Sequence, residues 1–331
     1  ALALENNRDL RVATLNIERS RALYQIRRAD LLPQVDAIGE GSGRRVPADL
    51  GGNGGAETIH QYRADLAISA YELDVFGRVR SLNEQALQQY LATEEARRSV
   101  QISLVSEVAA NYLTLAADRE RLALAKSTLD NYLESYRLSF SRFNAGVASA
   151  LDLNQAKTAV EAARLEIARY TTLVAQDENA LNLVVGSPVP AELLPSALSP
   201  KLTALRDLDP DLPSEVLLTR PDILQEENLL KGYNANIGAA RAAFFPRIIL
   251  VSTVGTGSSE LSGLFEDGSL VWSFAPRVTL PIFDAGRNRA NLKVAEVDRD
   301  IAVARYEKAI QTAFREVADA LARRGTIDEQ L

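Results

Sequence analysis

His60 is the one imidazole in this 331-residue chain, and no cysteine accompanies it. Without Cys, disulfide frameworks, thiolate metal sites and Cys nucleophiles are excluded. His60 stands in a Gly-rich polar loop, where an imidazole exposed to solvent is expected rather than a metal ligand. The run GGNGG at residues 51–55 resembles a phosphate cradle only superficially. No Lys-Ser or Lys-Thr follows it, and that pair is what reaches phosphate and magnesium. The 44 Asp and Glu residues show no spacing that separates a catalytic pair from a solvated helix face. Catalytic residues, cofactors and metals are therefore all expected to be none. A net charge of −7 and a pI near 5.1 argue against nucleic acid as a partner, because phosphates call for clustered Lys and Arg.

Pattern appears instead in residues that alternate. Along 62–72, Tyr62, Ala64, Leu66, Ile68 and Ala70 fall on one face and Arg63, Asp65 and Ser69 on the other. Along 270–280, Trp272, Phe274, Val278 and Leu280 oppose Ser273, Arg277 and Thr279. Each run has about 10 residues, the length of a tilted membrane-spanning strand. Trp272 and Phe274 suit either an aromatic girdle at a membrane interface or ordinary sheet packing. Shorter runs begin at Gln34 and at Arg247. The turn-rich segments PADLGGNGGAE and GTGSSELSGLFEDG lie between the strands of each pair. The expectation is two β-hairpins, four strands in all. No run approaches 18 consecutive apolar residues, so no transmembrane helix is expected.

Long helices must carry these hairpins. No proline occurs between Pro47 and Pro188, and Gly146 is the one glycine between Gly77 and Gly186. This stretch, rich in Ala, Leu, Glu, Gln and Arg, reads as a helical hairpin that turns at Gly146, with Ser149 and Asp152 as caps of the returning arm. Its first arm, about 66 residues, would run roughly 100 Å. Val108, Leu115, Leu122, Leu129, Tyr136 and Phe143 keep strict seven-residue intervals. Val105, Tyr112, Leu133 and Phe140 supply part of a second seam, which Arg119 and Lys126 interrupt. The return arm sets Ala156, Ala159, Ala163, Ile167, Tyr170 and Val174 at three- and four-residue spacing. These positions are expected to pack as a coiled coil.

The chain also says the same thing twice. RADLLPQV at 28–35 returns as RAAFFPRI at 241–248, and NRDL at 7–10 returns as RPDI at 220–223, both 213 residues on. After the hairpins the offset is 209: Gly77, Arg78 and Arg80 match Gly286, Arg287 and Arg289, and EVA at 107–109 matches EVA at 316–318. The whole is a tandem duplication of helix, β-hairpin and long helix. Its parts are an ascending helix at 1–33, a hairpin at 34–76, a long helical hairpin at 77–185 with its tip near 142–152, and a Pro-rich connector at 186–219. The second copy has an ascending helix at 220–246, a hairpin at 247–285 and a descending helix at 286–331. Pro33 and Pro246 end the ascending helices, and Gly77 and Gly286 begin the descents. Four strands cannot close a membrane barrel, and open edges in lipid leave backbone groups unpaired. A dimer would pool eight strands around a filled lumen; a trimer would pool twelve around a bore.

RADLLPQV, YELDVFGRVRS, RFNAGVASALDLNQA, RPDI, IGAARAAFFPRI, LPIFDAGR and YEKAIQTAFREVADAL, taken together over nearly the whole chain, resemble the outer membrane efflux factors, TolC-like proteins, and most of all the OprM-type lipoproteins of tripartite multidrug pumps. The resemblance implies a mainly α fold with membrane β: a homotrimer whose twelve-stranded outer-membrane barrel continues into a long periplasmic α-barrel. The connector would form an equatorial region. It implies passive conduction of drugs and other small toxic molecules to the exterior of a Gram-negative cell, with an inner-membrane drug transporter, a periplasmic adaptor (membrane fusion) protein and outer-membrane lipid as partners. Arg63, Asp65, Ser69, Ser273, Arg277 and Thr279 would face the lumen, and Leu66, Ile68, Trp272 and Phe274 would face lipid. Arg142, Gly146, Val147, Ala148, Ser149, Leu151 and Asp152 match the segment where the family meets its adaptor, or form merely a tight turn that needs Gly146. Tyr71 stands where the family commonly has Trp. An acylated Cys is implied ahead of Ala1, and the second copy's tip, with much of the closing gate, is expected near 351–365. A protein-secretion conduit of the same architecture, or a non-channel periplasmic adaptor or scaffold, are the alternative readings. An adaptor would ordinarily carry one helical hairpin flanked by β-rich domains rather than this duplication.

Overall fold

A computed structural model describes residues 1–47, 55–198 and 214–330. The elements follow in the order α1 (Leu2–Asn6), α2 (Arg8–Ala29), β1 (Asp36–Val46), β2 (Glu57–Leu73), α3 (Arg78–Asn144), α4 (Ala150–Val185), α5 (Pro221–Ala242), β3 (Arg247–Ser258), β4 (Leu270–Thr279) and α6 (Arg287–Gln330). The chain divides into two units: residues 1–15 with 96–216, and 16–95 with 217–331.

In the first unit the core lies where α1, α3 and α4 meet. Leu115, Leu181 and Val185 are buried there, packed by Leu2, Ala3, Val108, Tyr112, Val174, Val189 and Leu194. The seven-residue seam accounts for Leu115 and Val108, and the return arm answers with buried Val160 and Ala163. Val105 and Phe140, from the second seam, stay exposed. One partner helix covers one seam, so of the second only Tyr112 reaches the core, while Val105 and Phe140 meet no covering helix among the described residues. One stretch of α3 is long and apolar enough, by length and composition alone, to cross a membrane. That departs from the sequence expectation because dispersed apolar residues can raise a stretch's mean hydropathy without forming an unbroken run.

The ascending helix expected over 1–33 is two helices. Asn7 leaves the helical region at ψ 131°. Its side-chain oxygen accepts the Leu10 N–H at 2.8 Å, capping α2, while its amide donates to the Val184 carbonyl at 2.7 Å. At the duplicated position Arg220 precedes Pro221, the first residue of α5. Arg220 grips Asp222 through two hydrogen bonds of 3.0 and 2.7 Å and Glu316 of α6 through one of 2.8 Å. RPDI is thus the start of a helix held to its neighbour.

In the second unit the strands form one antiparallel sheet in the order β1-β2-β3-β4. The runs that looked short are full strands, 11 residues in β1 and 12 in β3 against 10 in β4. Glycines at 39, 41, 43, 255 and 257 had hidden their alternation. His60 lies within β2, opposite Gly43, rather than in a loop. Likewise residues 255–258 of the segment read as a turn belong to β3.

Candidate functional site: a two-faced sheet and a helical tip

The joints between helix and strand repeat bond for bond. Leu31 and Leu32 donate to Arg28 and Ala29; Phe244 and Phe245 donate to Arg241 and Ala242. In each copy a proline follows and the strand begins within three residues. On the descending side, Gly77 and Gly286 take φ of +79° and +87°, where a side chain is strained. The preceding aspartates cap the helices. Asp74 accepts the N–H groups of Val79 and Arg80 at 3.0 and 2.8 Å, and Asp284 those of Gly286 and Asn288, both at 2.9 Å. Burial pushes the Asp74 carboxyl up, yet the Arg80 and Val79 N–H groups outweigh it and leave its pKa below the ordinary value. For Asp284 the N–H groups of Asn288 and Gly286 do the same. Sequence reasoning missed both aspartates. The signal was available, because each precedes a duplicated Gly-Arg.

Between the joints the register sorts side chains by face, since residues directly opposite on neighbouring strands share one. Leu66 pairs with Val254 and Val254 with Trp272; Ile68 pairs with Ser252 and Ser252 with Phe274. These rows build one apolar face, with Trp272 and Phe274 exposed. On the other face, Arg63 pairs with Gly257 and Asp65 with Gly255, while Thr253 stands between Ala67 and Ser273. Arg277 and Thr279 follow on that face, opposite Ile249 and Arg247. Arg63 and Asp65 form an ion pair of 3.1 Å, and the Thr253 and Ser273 hydroxyls lie 2.7 Å apart. Gly255 makes room for this arrangement: a Cβ there would meet Asp65 Oδ1 at 2.5 Å. Ile38, opposite Asp65, interrupts the polar character.

The alternation does not run as far as expected. A register shift between Ile68 and Tyr71 sets Ser69 and Ala70 together opposite Val251. Ala70 therefore leaves the apolar row. Ser69 still reaches the polar side, donating to Asp36 at 3.4 Å, and the Tyr71 hydroxyl turns back to the Leu31 carbonyl at 3.0 Å.

The helical tip belongs to the first unit. Gly146 sits at φ +74° and donates to Phe143 at 3.0 Å, while Val147 donates to Arg142 at 2.9 Å, the paired bonds that close a helix on a left-handed glycine. Two residues on, Ser149 and Asp152 cap α4 reciprocally: Asp152 N–H to Ser149 Oγ at 3.2 Å and Ser149 N–H to Asp152 Oδ2 at 3.0 Å. The Ser149 hydroxyl, then its N–H, hold the Asp152 pKa below the ordinary value. Ala148 is half-buried, whereas Arg142, Val147 and Leu151 are exposed around this stiff turn.

Long helices, a sheet with one apolar and one polar face, and two sheet edges unpaired among the described residues fit the class of an outer-membrane channel. Residues 1–187 and 212–331 match the family model described as outer membrane efflux protein. The chain is 52% identical over 329 residues to the solvent efflux pump outer membrane protein SrpC of Pseudomonas putida, covering 99% of this chain and 70% of that one. A crystal structure of a membrane protein from Pseudomonas aeruginosa superposes with a TM-score of 0.96 at 50% identity, covering 99% of this chain and 76% of that one. The open state of the Neisseria gonorrhoeae MtrE outer membrane channel gives a TM-score of 0.88 at 41% identity, covering 99% and 73%. The chain belongs to the outer membrane efflux protein family. It is an outer-membrane channel component of a Gram-negative efflux system, with a periplasmic extension.

Proposed function

We propose that three copies of this chain form a passive conduit that carries drugs, solvents and other small toxic molecules from an inner-membrane transporter and its periplasmic adaptor to the exterior. The observation that carries this reading is the four-stranded sheet, two-faced and, among the described residues, open at both β1 and β4. Unpaired edges in hydrocarbon cost several kcal/mol per polar group, so the sheet needs other copies to close it. Three copies supply twelve strands, enough for an aqueous bore where eight leave only a filled lumen. Arg63, Asp65, Ser69, Ser273, Arg277 and Thr279 then line the bore. Leu66, Ile68, Trp272 and Phe274 meet lipid. The segment from Arg142 to Asp152 meets the adaptor hairpins. The name of SrpC, a solvent efflux protein, supports the cargo class. Energy is supplied by the transporter, and the reading assigns no catalytic residue.

The test is the protein mass of the full-length chain in detergent, by light scattering corrected for bound micelle, together with solvent and drug tolerance of cells lacking and regaining it. A three-chain, detergent-bound particle that restores tolerance is expected. A soluble monomer without detergent overturns the pooled barrel, and assembly without any change in tolerance overturns the cargo class.

A further inference from the structure

The two copies inside the chain meet along the seam between β2 and β3, and this seam has a built base. Phe76, after β2, stacks on Phe245, before β3, with ring centroids 4.8 Å apart. Beside them Glu72 accepts two bonds from Arg78, at 2.8 and 2.6 Å, and one from Arg247 at 2.5 Å. Contact between the end of copy one's second strand and the joint of copy two thus combines an aromatic stack with an ion pair.

The outer ends of the sheet carry the same two halves, exposed among the described residues. Leu32 of the first joint matches Phe245 by the 213-residue offset and is 72% exposed. After β4, Ile282 and Phe283 are each 90% exposed. They lie at opposite edges of the sheet, three strand spacings or about 14 Å apart, so they cannot cover each other within one chain.

We propose that Ile282 and Phe283 of one copy cover the Leu32 joint of a second copy, repeating between chains the contact that Phe76 and Phe245 make within one.

Two substitutions that occur together favour a second copy as the occupant. With the capping aspartates Asp74 and Asp284 aligned, Ile282 stands where Glu72 stands, and by the joint offset Gln34 stands where Arg247 stands. The acid and base that pair across the seam, Glu72 and Arg247, both have uncharged counterparts at the outer ends, while Arg287 keeps the place of Arg78. Had one alone changed, a seam built on this template would hold an unpaired charge. The β4–α6 loop is also one residue shorter and has no Phe between its Asp and Gly, so its aromatic precedes the cap as Phe283. The ionic contact is thus lost on both sides at once, apolar Ile282 standing for the acid and neutral Gln34 for the base. The inference rests on the trimeric reading above and specifies how its seams close.

The chain has no cysteine, so a thiol pair can be placed against a clean background. In the full-length protein, Leu32→Cys with Phe283→Cys would be treated with a short bismaleimide in detergent, with each single variant and a Leu15→Cys/Phe283→Cys pair as controls. Covalent dimers and closed trimers from the Leu32 pair alone are expected. A three-chain particle by light scattering with no linkage above the controls overturns this seam and leaves the trimer standing. A monomeric particle that does not link overturns both. A second variant, Phe283→Asp, is expected to shift the particle from three chains toward one after mild heating; unchanged resistance to dissociation speaks against the contact.

Discussion

Gly186 lies against the backbone of Asn6: it ends α4 at φ +80°, and a Cβ built on it would stand 2.3 Å from the Asn6 carbonyl oxygen. No neighbouring side chain can yield here, because the obstacle is backbone. Gly186→Ala must bear a left-handed conformation costing about 1–2 kcal/mol and an overpacking cost of about 1–3 kcal/mol. A loss near 3 kcal/mol is expected. Thermal unfolding of the detergent-solubilised protein reads it, and a midpoint unchanged from the parent would contradict the close approach.

Asp118 of α3 and Asp177 of α4 form a second, less comfortable relationship. Arg121 donates to Asp118 Oδ1 at 2.7 Å, whereas Asp177 Oδ2 is buried without a partner. Nearby Arg119 pairs with Glu178 and donates to the Pro195 carbonyl, so it does not neutralise Asp177. Burial, then the charge of Asp118, raise the Asp177 pKa. A carboxyl with a raised folded pKa binds more protons folded than unfolded between the ordinary and the raised values. Stability therefore falls as pH rises through that window and stays lower above it. Asp177→Asn should unfold at higher temperature than the parent at pH 7 and at about the same temperature near pH 3, below the ordinary carboxylate range. A variant less stable at pH 7 would show that the charge is held favourably.

The two faces of the sheet give a labelling prediction that separates register from composition. Ile68→Cys and Phe274→Cys should react with membrane-partitioning thiol reagents, and Arg63→Cys and Ser273→Cys with aqueous ones. Ile38 decides between explanations. It is apolar, yet its pairing with Asp65 puts it on the polar face. Ile38→Cys should follow the aqueous pattern. Equal labelling of all five positions would remove the bore assignment.

The duplication was legible because proline and glycine punctuate both copies alike, and β2 and β4 were legible because apolar side chains mark every second position. What stayed hidden was hidden for local reasons. The glycines at 39, 41 and 43 carry no side chain, so β1 left no period to read. The bulge at Ser69 and Ala70 changes phase without changing residue type. The break at Asn7 looks like continuous helix, although Pro221, the counterpart of Arg8, marks a helix start from which the break could be read. Asp74 and Asp284 look in the sequence like two acids among many, since a cap is recognised by the N–H groups it meets. At the tip, Gly146, Ser149 and Asp152 were legible because capping is local enough for three residues to specify it.

That local specification sets up a division of labour at the tip. Gly146, Ser149 and Asp152 build the turn with the Val147 N–H, whereas the side chains of Val147 and Leu151 stay exposed, the residues at 68% and 65%. If the turn serves to present them, the two sets should fail differently. Ser149→Ala removes the cap and costs about 1 kcal/mol of helix stability, with export largely retained. Leu151→Asp leaves the cap intact, so thermal unfolding and particle mass should match the parent. It places a charge on the surface proposed to meet the adaptor, however, and should raise solvent and drug sensitivity of cells several-fold. Co-purification of the adaptor with the Leu151→Asp protein separates the two possibilities. Loss of capture with unchanged assembly supports docking through the exposed side chains; undiminished capture and tolerance would leave the tip as a turn between two helices.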